Sequence, residues 1–172
     1  MRASALNPPA TALQWLVRLI HVWALLGGVV LLAVVLMTTV SAVMGFLLAS
    51  PFPGDFELTE MGVAIAAFAF LPYCQLTFSN VSADIFTQNA GPTVNRWLSR
   101  LGSFIAFIFS LLLIWRMFVG LKDYQTYLET TTILQIPIWY AFVPTLGSLI
   151  LLALAAVVTL MYPEGGDSPT PH

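Results

Sequence analysis

Few residues in this chain have the means to do chemistry, and three of them stand together: Asp55, Glu57 and Glu60, in Gly54-Asp55-Phe56-Glu57-Leu58-Thr59-Glu60. Carboxylates grouped in this way can form an acid/base pair, cap a helix or meet a partner. These three open an apolar segment, so they fall in or just before the first turn of a helix. There, free N–H groups and the helix dipole favour negative charge. Gly54 and Glu57 are spaced as an N-cap and its N3 carboxylate. Capping accounts for two of the three acids, and contact with a partner at the outer face is the other use open to them.

The remaining reactive groups do not assemble into a site. Haem ligation by two histidines is excluded, because only His21 lies in an apolar segment and His172 is the last residue of a polar tail. His21 reads instead as an interfacial polar residue. The single cysteine, Cys74, has no partner for an intramolecular disulfide and no neighbouring ligand set, so it reads as a small packing residue. No Ser/His/Asp set, catalytic carboxylate pair or phosphate-cradling loop emerges. The chain is expected to be no enzyme and to hold no cofactor or metal.

The elements that must position the acidic stretch are membrane helices. The chain is 59% hydrophobic and only 8% charged, against about 25% charged in an ordinary globular domain. Its net charge of -2 and scattered Lys and Arg offer no surface for nucleic acid. Four apolar segments each approach the roughly 20 residues that cross a hydrocarbon core of about 30 Å. Without water to satisfy the backbone, such segments must be helical. The expectation is an all-α integral membrane protein, one membrane domain over 1–172, with transmembrane helices at 22–49, 58–77, 100–121 and 138–162. The Pro-, Gly- and Ser-containing end, 163–172, reads as a disordered tail.

The first apolar segment, 12–49, is too long for a simple crossing, since at about 1.5 Å per residue it would reach about 57 Å. Gln14, Arg18 and His21 form one helical stripe, flanked by Trp15 and Trp23. That pattern suits an interfacial N-terminal helix that turns into the bilayer at Gly27-Gly28. A single long tilted helix accommodates it equally. The apolar run far exceeds the h-region of a cleavable signal peptide, about 7–15 residues. Trp15, Arg18, Arg96 and Arg100 are candidate contacts for lipid headgroups. With Arg2, Arg18, Arg96 and Arg100 on one side and Arg116 and Lys122 on the other, the basic residues favour an N-in/C-in topology. The acidic stretch then lies on the outer face, as does the loop from Asp123 to Pro137.

Small residues mark candidate helix-packing faces: Gly62, Ala66 and Ala69 in the second span, and Gly102, Ala106 and Ser110 in the third. Pro72 and Pro144 each remove a backbone bond, so a kink or early helix end is expected near Pro72. The middle of each span is apolar, with residues such as Val34, Phe68, Ile108 and Leu151. A transport or proton path would need ionisable groups there. The nearest, Arg116, reads as about one turn from the end of its span, where it can snorkel. By elimination the chain reads as a structural subunit.

Three stretches carry a resemblance. Gly54 to Glu60 is followed by an Ala- and Phe-rich span that ends in Leu71-Pro72-Tyr73-Cys74-Gln75-Leu76-Thr77. Asn80-Val81-Ser82-Ala83-Asp84 comes next, and Leu134-Gln135-Ile136-Pro137-Ile138-Trp139-Tyr140 opens the fourth helix. Together, over roughly Gly54 to Ala156, they resemble the small, DctQ-type membrane subunit of TRAP (tripartite ATP-independent periplasmic) transporters. The resemblance implies a multi-pass protein of the bacterial inner membrane. Its implied partners are a large elevator-type permease subunit, a periplasmic substrate-binding protein and membrane lipids. It further implies uptake of a small organic solute, typically a carboxylate, coupled to a cation such as sodium, with the small subunit as brace. After Thr77 the family often has a basic residue and a Gly, whereas this chain has Phe78-Ser79. Two alternatives stay open: the small subunit of a tripartite tricarboxylate transporter, which lacks the acidic opening, and a membrane anchor of a redox enzyme.

Overall fold

The computed structural model describes residues 10–77 and 92–161, and within them the chain is helical apart from its connections. Helix α1 spans Ala10–Leu48, α2 Asp55–Leu76, α3 Pro92–Thr126 and α4 Trp139–Met161. Each is long and apolar enough to cross a membrane, so this is an all-α protein of multi-pass membrane type.

Helix α1 runs unbroken through Gly27-Gly28, so of the two readings of the first segment the chain takes the single long helix. The reason is packing. A Cβ on Gly27 would lie 2.7 Å from the Cβ of Ala69 and 3.4 Å from the carbonyl oxygen of Ala66. The missing side chain lets α2 approach and does not loosen α1. At roughly 1.5 Å per residue, α1 is about 58 Å long and exceeds a hydrocarbon core of about 30 Å. It stops where Ala49 turns to φ 53, ahead of Pro51 and Pro53, which disfavour further helix.

Helix α2 lies antiparallel to α1. Val34 closes over Gly62, Gly27 over Ala66 and Ala69, and His21 meets Tyr73 edge-on at 5.0 Å. Pro72 sits inside α2, and the helix continues past it to Leu76, so of the kink or early end expected there the early end does not occur. Thr77 closes it, its hydroxyl donating to the Tyr73 carbonyl at 3.0 Å. Helix α4 packs between α2 and α3, giving the spatial order α1, α2, α4, α3. It is the most buried helix and α3 the least. Ile20 of α1 meets Leu151 and Ala155 of α4 in a small apolar core with Leu16, Trp23, Tyr73 and Leu76 around it. Trp23 donates its indole N–H to the Ser148 hydroxyl at 2.9 Å, which ties α1 to α4.

Helix α3 extends further than its apolar run implies, to Thr126. Arg116 stands five residues before Leu121, where the apolar run ends, about 8 Å at roughly 1.5 Å per residue. The charged and polar residues from Lys122 to Thr126 prolong the helix because nothing in them breaks it.

Candidate functional site

The acidic stretch is built into a joint between three parts of the chain. Gly54 precedes α2 in the left-handed region, at φ 81 and ψ 9, where a side chain is strained. A Cβ there would also collide with the side chain of Leu134, from the connection between α3 and α4. Two separate requirements thus select glycine at one position.

Glu57 makes the joint polar as well as steric. One carboxylate oxygen accepts the backbone N–H of Ile133 at 2.7 Å and the other accepts that of Leu134 at 3.0 Å. A carboxylate has four lone-pair positions on two oxygens, which suits a pair of successive N–H groups. The capping partnership read from its spacing to Gly54 is not how this side chain is used. Gly54 caps α2 with no side-chain bond, and Glu57 reaches across to the other connection. The acid remains in the first turn of α2, so the helix dipole still favours its charge.

Asp55 is held by a different neighbour. The Ser41 hydroxyl of α1 donates to its carboxylate and accepts the Phe52 N–H at 3.1 Å. Ser41 is fully buried and joins the end of α1 to the start of α2. Glu60 is exposed and belongs to neither cluster.

The connection that receives Glu57 is itself ordered by hydrogen bonds. Thr130 and Pro137 form an antiparallel bridge. The Thr131 N–H donates to Ile136 at 2.9 Å and the Ile138 N–H to Glu129 at 3.1 Å. The Ile136 N–H donates to the Thr131 hydroxyl at 3.1 Å. Leu128 and Gln135, at φ 52 and 56, turn the chain at either side. Around this joint Phe46, Phe56 and Tyr127 stand exposed.

A second polar cluster lies toward the other end. Gln75, buried in α2, donates its amide to the Thr159 hydroxyl of α4 at 3.1 Å and to Ser103 of α3 at 3.5 Å. Three helices meet on one side chain there.

The remaining candidates are distributed as follows. Gly62, Ala66 and Ala69 are buried, and all three face α1. Gly102, Ala106 and Ser110 are exposed, half-buried and buried respectively, because a four-residue step advances about 40° around a helix of 3.6 residues per turn. Trp15, Arg18 and Arg100 are exposed. The side chain of Arg96, the stretch 80–84 and the tail 163–172 lie outside the described residues. Among those described, no group of three or more His, Cys, Asp or Glu could hold a metal.

Sequence reasoning missed Leu134, Ser41, Gln75, Ser103, Thr159 and the Trp23–Ser148 pair. A signal was present for the hydroxyls and for Gln75, since polar side chains inside apolar helices seek partners on neighbouring helices. None was present for the Ile133 and Leu134 amides, because every residue but proline carries one.

The arrangement fixes the shape of the joint. The family model described as "Tripartite ATP-independent periplasmic transporters, DctQ component" matches residues 34–163. Comparison with curated proteins and with solved structures gives no significant match.

Proposed function

The chain belongs to the DctQ component family of the tripartite ATP-independent periplasmic transporters, and from that premise we propose that it acts as the brace of a cation-coupled uptake system. In this proposal a large permease subunit carries the solute by an elevator motion, and a periplasmic binding protein delivers it. The solute is a small organic acid and the coupling ion is sodium. The chain lies in the bacterial inner membrane with both ends inside, so that the Glu57 joint faces the binding protein.

The family match over residues 34–163 carries this reading. The chemistry of the described helices agrees with it. A solute or proton path needs polar groups lining a shared interior, whereas the faces that meet here are made of Gly27, Ala66, Ala69, Ile20, Leu151 and Ala155. The polar bonds between helices, Gln75 to Thr159 and Trp23 to Ser148, join neutral side chains that hold neighbours in register.

The test is an omission series in proteoliposomes: the complete system, the system without this chain, and this chain with binding protein only. The proposal expects sodium-dependent uptake from the complete system alone. Uptake by this chain without the large subunit would sink it, as would full uptake by the large subunit without this chain.

A further inference from the structure

The connection between α3 and α4 is closed by bonds of its own, and none of these uses the N–H groups of Ile133 and Leu134. Thr130 and Pro137 pair across it. Thr131 and Ile136 share two bonds: the Thr131 N–H donates to the Ile136 carbonyl, and the Thr131 hydroxyl accepts the Ile136 N–H. The Gln135 side chain closes the turn from within, its amide donating to the Thr132 carbonyl at 3.1 Å and its oxygen accepting the Thr130 hydroxyl at 3.2 Å. The turn thus holds its shape without help from α2. What it leaves over is a pair of successive N–H groups that converge on one place, now filled by the Glu57 carboxylate.

The same place draws on further donors. The Thr132 backbone and the Thr131 side chain add to the attraction on that carboxylate. Thr131 can do so because a lone pair, not its proton, takes the Ile136 N–H. Successive N–H groups in a turn make an anion-binding concavity, a nest. Two donors side by side suit a planar anion with two oxygens, whereas a neutral amide brings one accepting oxygen and a donor that opposes the second N–H. The first turn of α2 lies alongside, and its dipole favours an anion there whichever molecule carries it. Water reaches the spot, since Thr132 and Ile133 are exposed and Glu57 is only half-buried.

We propose that the turn Thr131–Leu134 is a carboxylate-binding nest in its own right and that Glu57 is its built-in plug, so that a small free carboxylate enters once Glu57 is removed. The site belongs to the connection, and Glu57 is its ligand. Glu57 stands on α2 beside the nest, so a dissolved carboxylate must displace a ligand that is already in place. The inference concerns this chain alone and stands whether or not the assembly proposed above holds.

The test uses the full chain in detergent at neutral pH, with sodium acetate as the probe and acetamide and sodium chloride at matched concentration as controls. Amide resonances and amide exchange are followed at Ile133 and Leu134, while amides in the middle of α2 and α4 report whether the fold is intact. In Glu57→Ala both amides should exchange about tenfold or more faster than in the wild type, as for loss of a hydrogen bond to a charged group. Acetate should shift their resonances saturably and restore most of the protection, and neither control should do so. The wild type should show no saturable shift over the same range. Glu57→Ser should repeat the result and takes the place of Glu57→Ala if that variant loses its mid-helix protection. Adding Thr131→Val should weaken the response to acetate severalfold. Amides that stay unprotected in acetate overturn the proposal, as does equal protection by acetamide or chloride. A saturable shift in the wild type as strong as in the variants removes Glu57 as the plug and overturns it too.

Discussion

The two ends of this helical bundle are held by different chemistry. At one end a charged side chain, Glu57, binds two backbone N–H groups of a connection far along the chain, beside a glycine required both by its left-handed turn and by the closeness of Leu134. At the other, Gln75 joins Thr159 and Ser103 through neutral side chains on three helices. The first joint depends on exact backbone geometry and on an ionised carboxylate. The second depends only on polar atoms finding one another between helices, a weaker and more forgiving interaction. The difference teaches where the molecule is specified most tightly: at the connections outside the apolar core, where a binding surface would need a fixed shape, and less so among the helices.

That contrast can be broken by substitution, beginning with the largest effect. Gly54→Val combines left-handed strain of about 1–2 kcal/mol with overpacking against Leu134 of about 1–3 kcal/mol. Unfolding in detergent, followed by circular dichroism, should show a loss near the sum; an unchanged midpoint would mean that the turn has another geometry. Gln75→Leu should cost much less, about 1 kcal/mol, since hydrogen bonds between membrane helices average about 0.6 kcal/mol. A loss as large as that of Gly54→Val would erase the contrast between the ends. Trp23→Phe should have the smallest effect, about 0.5 kcal/mol. The Ser148 hydroxyl keeps its own bond to the Pro144 carbonyl at 2.9 Å, so no hydroxyl is left unpaired. The same unfolding assay ranks all three.

Much of the fold was legible because hydropathy decides it. Four long apolar runs in a chain with 8% charged residues have no soluble alternative. Continuity of α1 was not legible, because Gly27-Gly28 reads locally as a weak point. Only the position of Ala69 reveals that Gly27 serves close packing. The full length of α3 was not legible for a different reason. Hydropathy marks where the lipid ends, and the helix continues into water through Thr126. Glu57 shows the limit most clearly. Its charge, its place at a helix start and its spacing from Gly54 were all readable, but its partners are backbone amides at Ile133 and Leu134. No local pattern distinguishes those amides from any others.

The central claim is that Glu57 makes the start of α2 and the connection before α4 one rigid unit, ready for a partner. Amide hydrogen exchange at Ile133 and Leu134, compared between wild type and Glu57→Gln, tests it most directly. An amide side chain offers one accepting oxygen and sets a donor against the second N–H. Both amides should therefore lose protection in the variant, while amides in the middle of α2 and α4 keep theirs. Equal protection of Ile133 and Leu134 in the two proteins would contradict the claim and leave Glu57 as a helix-start charge only.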